Sequence, residues 1–129
     1  MKKVFVFGNP LLEKDSIALK AGKELEKELK GMEFYFIHEP EEMDELSERE
    51  WKELVILDAV EGIKEVRIIP LEKLVKERKV TAHDLDLGFY LQLKKKLGEL
   101  KEVKIIGIPM EMKKEKAVEE TRKLLKKSI

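Results

Sequence analysis

Two carboxylates and one imidazole stand where an α/β fold would present them: Asp15 closing the loop GNPLLEKDS, Asp58 after the apolar run LVIL, and His83 in the segment TAHDL. This donor set suits a hard-to-borderline divalent ion such as nickel, zinc or manganese, with coordination positions left open. Each residue also has a plainer use. Asp15 could cap a helix, where a carboxylate accepts orphan N–H groups and favours the positive dipole end. Asp58 adjoins a run expected to be buried, so it must be hydrogen-bonded, paired or ligating to offset its desolvation. His83 falls in a first helical turn, where a structural or exposed histidine is common, and His38, beside an acidic stretch, is expected in solvent. The loop itself, from Gly8 and Asn9, holds the sole asparagine of the chain.

Several other chemistries lack their parts. With no cysteine there is no thiolate nucleophile, disulfide framework or sulfur metal site. There is no His-Glu-x-x-His helix for a paired-histidine zinc centre, and neither Gly-x-Gly-x-x-Gly nor the Walker pattern for phosphates. The serines are Ser16, Ser47 and Ser128, none within Gly-x-Ser-x-Gly. A triad of Ser16, His83 and Asp58 stays open at this level, without a motif to support it.

The elements that must hold these residues are legible from periodicity. Val4 to Phe7 is a continuous apolar run of the kind found in a parallel strand covered on both faces. Ile17, Ala18, Ala21, Leu25 and Leu29 keep helical spacing up to a stop at Gly31. Phe34 to Ile37 reads as a second strand, and Leu54 to Leu57 as a third that ends at Asp58. Between them Glu39 to Glu50 carries seven acidic residues against one Arg, the composition of a solvated loop or loose helical turn. Ile63 to Ile69 is short and partly alternating, which predicts an antiparallel edge strand, and Pro70 to Arg78 a short helix. Thr81-Ala82-His83-Asp84 has a helix-capping pattern, followed by a stripe of Leu85, Phe89, Leu93 and Leu97 at spacing of four. Val103 to Ile108 is the last strand. A final helix follows with Ala117, Val118, Thr121, Leu124 and Leu125 on its inner face.

Strands alternating with helices predict a three-layer α/β/α domain over residues 1–129, with a twisted, mostly parallel sheet of about five strands, one antiparallel edge strand and helices on both faces. Ligands of such sheets bind outside the carboxyl ends of the strands, where Asn9, Asp15 and Asp58 are expected. Lys plus Arg and Asp plus Glu each number 27, so no net field draws the chain to nucleic acid. Apolar runs are strand-sized and no leader pattern is expected, which predicts a cytoplasmic protein without membrane insertion. Charged residues reach 42% with one Asn and one Gln, the bias of hyperthermophile proteins. Against that bias, the retention of Asn9 points to a functional loop.

The ordered set VFVFGNPLLEKDS, LVILDAVEGIKEVRII, TAHDLDL and VKIIGIP resembles the hydrogenase maturation proteases that process the large subunit of [NiFe]-hydrogenases. The resemblance implies an endopeptidase that removes a C-terminal extension from the large-subunit precursor after nickel insertion. It implies that Asp15, Asp58 and His83 are the catalytic and metal-contacting residues and that Gly8 and Asn9 shape the substrate loop. Nickel would come with the precursor, and another divalent metal could occupy the site in isolation. Departures are Lys14, where the family has a second acidic residue, Ser16, where it has glycine, and a shortened segment from Met110. Two further readings are weighed beside it. A receiver-like phosphoacceptor domain needs an acidic pair after the first strand and a lysine before the last proline, where this chain has Gly8-Asn9 and Ile108. A non-catalytic binding module of the same fold would dock a partner on Glu39 to Glu50.

Overall fold

The computed structural model describes residues 2–8, 16–76 and 82–128. The chain runs β1 (Lys2–Phe7), α1 (Ser16–Glu28), β2 (Met32–Ile37), a 3-10 helix (Pro40–Glu45), α2 (Glu48–Trp51), β3 (Glu53–Val60) and β4 (Arg67–Ile69). It continues with α3 (Leu71–Lys76), α4 (Ala82–Lys96), β5 (Glu102–Pro109) and α5 (Lys114–Ser128). The strands form one sheet in the order β2-β1-β3-β5-β4, parallel except for the edge pairing of β4 with β5. This is the three-layer α/β architecture that the alternation of elements predicts.

Alternation along the strands divides the core into two layers. Val4, Val6, Val55, Leu57, Ala59, Ile106 and Ile108 face α1 and α5. Phe5, Phe7, Leu54, Ile56, Val60 and Ile105 face the 3-10 helix, α2, α3 and α4. Because both faces are covered, β1 and β3 can be apolar at successive positions. Close approach of α1 depends on Gly22, where a Cβ would lie 2.9 Å from Val6 Cγ2. The turn after β3 is made by Gly62 at φ 88°, a left-handed conformation that glycine adopts without steric cost.

The acidic stretch is more ordered than its composition predicts. Pro40 and Met43 are buried beneath the 3-10 helix, and Trp51 is buried at the end of α2. Its carboxylates also have internal work. Glu42 accepts from the backbone N–H groups of His38 at 2.6 Å and Glu39 at 2.7 Å. Glu50 accepts from the Ser47 N–H at 3.1 Å and pairs with Lys3 at 2.6 Å, tying α2 to β1. Asp44 accepts from the Tyr90 hydroxyl, and the Lys94 ammonium lies 5.5 Å from the centroids of both Trp51 and Tyr90. Burial, with Asp44 beside it, pushes the Tyr90 phenol well above its ordinary value. His38 is exposed, as expected.

The described part of the four-spaced apolar stripe, Phe89, Leu93 and Leu97, faces outward. Phe89, Leu93 and Leu97 are 57%, 53% and 61% exposed, whereas Leu87 and Leu91 are fully buried. A spacing of four outruns the 3.6-residue turn by about 40° per step, so a long four-spaced stripe winds off any single face. The pair at Leu87 and Leu91 is the one that the sheet selects.

Candidate active site

The sheet order places β2 and β3 on opposite sides of β1, so the chain leaves β1 toward one side and returns on the other. The crevice outside the carboxyl ends of β1 and β3 is the switch point where ligands of such sheets bind. β1 ends at Phe7, and the buried Gly8 that follows donates its N–H to the Ile37 carbonyl at 3.1 Å, fixing where the chain departs. Asn9 and Asp15 lie outside the described residues, in the segment that joins Gly8 to Ser16, the first residue of α1.

Asp58 lies within β3, two residues short of its end. The expected strand end at Asp58 is therefore corrected: Ala59 pairs with Ile108 and Val60 with Pro109, and the Val60 carbonyl accepts from the Met110 N–H at 3.2 Å. Ladder pairing is a property of the backbone, so a polar side chain need not terminate it when the next residues still bury apolar surface. The β1 ladder does stop here, since Asp58 pairs in register with Phe7. Asp58 is thus at the carboxyl edge of the β1–β3 pairing while still inside the β3–β5 pairing.

At 1% exposure Asp58 carries the sole buried carboxylate among the described residues. It shares a sheet face with Ile56 and Val60, the face covered by α4. His83 belongs to the first turn of α4, and Leu87, four residues on, is buried in the same cluster as Phe7, Ile56 and Val60. The His83 side chain lies outside the described set. Among the described residues no three His, Asp or Glu side chains gather around a common point, and of the expected ligands that set holds the Asp58 carboxylate alone. As a donor, Asp58 fits a metal-bearing partner in kind, being a hard oxygen ligand in a nearly dry setting.

Two neighbours of Asp58 were not singled out in the sequence. Gly107 on β5 is its register partner, and Arg67 on β4 is in turn the register partner of Gly107. A Cβ at Gly107 would lie 2.3 Å from Ile69 Cδ1 and 3.2 Å from Val60 Cγ2, so this strand position is held open by glycine and filled by Ile69. A glycine inside the apolar strand KIIGIP marks such a close approach and was the available clue. Past Val60 a cavity of about 380 Å³ opens between the β3–β4 turn, β4 and the start of α3.

The fold is of the open α/β class, with a buried aspartate at the carboxyl edge of the β1–β3 pairing, where sheets of this kind bind their ligands. The hydrogenase maturation protease profile matches residues 38–129, and the chain belongs to that family. The matched region includes Asp58 and His83 and begins after Gly8, Asn9 and Asp15. Among solved structures, the chain is similar to the [NiFe] hydrogenase maturation protease HybD from Thermococcus kodakarensis, with 26% identity, a TM-score of 0.67, and coverage of 96% of this chain and 99% of that one. A hydrogenase 3 maturation protease is 23% identical with a TM-score of 0.63, covering 95% and 88% of the two chains. The endopeptidase HycI from Escherichia coli is 18% identical with a TM-score of 0.51, covering 84% and 73%. These last two likenesses concern the fold. No curated protein matches the sequence. No helix among the described residues is long and apolar enough to cross a membrane.

Proposed function

We propose that this chain, acting in the cytoplasm as one domain over residues 1–129, is the endopeptidase that removes the C-terminal extension of a [NiFe]-hydrogenase large-subunit precursor once nickel has been inserted. The observation that carries the reading is Asp58: a family member holds its sole buried carboxylate, among the described residues, at the switch point of the sheet. In this reading nickel arrives with the substrate, held by the precursor, and Asp15, Asp58 and His83 meet it. Gly8 and Asn9 shape the loop that receives the peptide.

Asp58 is the residue assigned to take the proton from water. A carboxylate oxygen that reaches the attacking water is the group that can accept its proton as the water adds. Water then adds to the scissile carbonyl carbon, the C–N bond breaks, and the leaving amine takes up the proton. Nickel supplies Lewis acidity beside that carbonyl and lets the enzyme discriminate loaded from empty precursor. A different divalent ion placed on the same three side chains would serve as a stand-in for the substrate's metal.

The test is intact mass of the large-subunit precursor from the same source, nickel-loaded or nickel-free, after incubation with the wild type or Asp58→Asn. The expected result is loss of one C-terminal peptide only with nickel and only with the wild type. Full processing by a folded Asp58→Asn variant would remove Asp58 from the reaction, and processing of nickel-free precursor would remove the checkpoint.

A further inference from the structure

The cavity beyond Val60 belongs to no part of the mechanism above. Its walls are aliphatic, from Val60, Ile63, Ile69 and Leu74, and its polar lining includes Arg67 and Lys73. Glu61 on the turn is the one acidic lining residue, so the lining carries two cations to one anion. Neither Arg67 nor Lys73 forms an ion pair among the described residues, so neither charge is already matched by a carboxylate there. The volume, about 380 Å³, is at the lower end of the range for sites that bind small ligands or a few residues of peptide.

The position of this cavity relative to Asp58 gives it a use. Val60 follows Asp58 by two residues on the same face of β3, so the cavity begins where the candidate active site ends. Arg67 lies in register with Asp58 across Gly107, two strand spacings away, or about 10 Å. An extended peptide advances about 3.3 Å per residue, so about three residues span that gap. A guanidinium binds a carboxylate through paired N–H donors, and Lys73 adds a second positive charge.

We infer that this cavity is a subsite for the precursor's extension: it takes an aliphatic side chain between Ile63, Ile69 and Leu74, and Arg67 with Lys73 binds an Asp or Glu side chain about three residues from the scissile bond. The inference rests on the endopeptidase reading and adds a residue preference to it. It concerns binding, so it is separable from cleavage.

The probe is a fluorescein-labelled synthetic peptide of the precursor's C-terminal extension with the residues just before it, followed by fluorescence anisotropy. A second peptide carries Asn and Gln in place of Asp and Glu, and a third carries only a C-terminal amide. Expected results are at least tenfold weaker binding of the first peptide by Arg67→Glu/Lys73→Glu, a smaller loss by Arg67→Lys, which keeps the charge but not the paired donors, and unchanged thermal unfolding of both variants. The second peptide should lose the same factor toward the wild type and lose nothing further toward the double variant. Equal affinity of the double variant and wild type, loss caused by the terminal amide alone, no binding by the wild type, or an extension without Asp or Glu near its cleavage point would each overturn the inference. Asp58→Asn separates the two readings: it should bind the first peptide like the wild type while failing to cut the precursor. Cutting by Asp58→Asn would overturn the assigned base and leave the subsite result standing.

Discussion

Gly107→Ala tests whether the strand beside Asp58 is held open by glycine so that Ile69 can fill the space. The new methyl would sit 2.3 Å from Ile69 Cδ1, more than 1 Å inside ordinary contact, and close to Ile69 Cγ1 at 3.1 Å and Val60 Cγ2 at 3.2 Å. The Cδ1 methyl can rotate away, but the other two atoms belong to side chains that are themselves buried. Overpacking of this kind costs about 1–3 kcal/mol, offset by about 0.4–1 kcal/mol from the reduced freedom of the unfolded chain. The net expectation is a loss of about 1–2 kcal/mol, equivalent to roughly 3–8 °C in melting temperature for a chain of this size. Ile69→Val removes Cδ1 and by itself costs about 0.5–1.5 kcal/mol. In the double variant the alanine methyl occupies the vacated space, so the two changes should offset each other by about 1 kcal/mol or more. Guanidinium unfolding of the four proteins, followed by circular dichroism, reads that coupling directly. Additivity within about 0.5 kcal/mol, or a Gly107→Ala protein as stable as the wild type, would refute the account of Gly107.

The two faces of α4 should respond oppositely: Leu91→Ala should cost about 2–5 kcal/mol in chemical unfolding, whereas Leu93→Gln, on the exposed side, should change stability by no more than about 0.5 kcal/mol. Thr121 is fully buried on α5, and its hydroxyl has no hydrogen-bond partner among the described residues. Thr121→Val should therefore stabilise the fold by about 1 kcal/mol, and a loss of stability would show that the hydroxyl is satisfied. Lys3 beside Glu50, with the Ser47 N–H, holds the Glu50 carboxyl below its ordinary 4.5. Since the folded pKa is the lower one, the stabilisation is present above pH 4.5 and disappears as pH falls through the folded value. Glu50→Gln should thus be less stable than the wild type at pH 7 and equal to it in strong acid. A gap that persists in acid would point to lost packing instead.

Much of the fold was written in local patterns. The buried run at Val4–Phe7, the helical spacing from Ile17 to Leu25 and the inner face of α5 were readable because each is a periodicity that neighbouring residues establish among themselves. The ordering of Glu39 to Glu50 was not, because Met43 and Trp51 gain their burial from Leu91 and the sheet, which are distant in sequence. On α4 two four-spaced sets competed, and only docking on the sheet decided between Leu87 with Leu91 and Phe89 with Leu93.

The candidate site divides in the same way. The side-chain chemistry at Asp15, Asp58 and His83 is determined by residue type and is visible in the bare chain, as is the oddity of a lone Asn9. Tertiary structure decided that Asp58 lies inside β3 instead of at its tip, and that Phe7, Gly107 and Arg67 align across the strands beside it. Residue type carries donor atoms and charge; register is set by pairing among strands that the chain reaches only after long crossovers. That pairing is why Gly107 and Arg67, unremarked in sequence, become neighbours of the one buried carboxylate in the described fold.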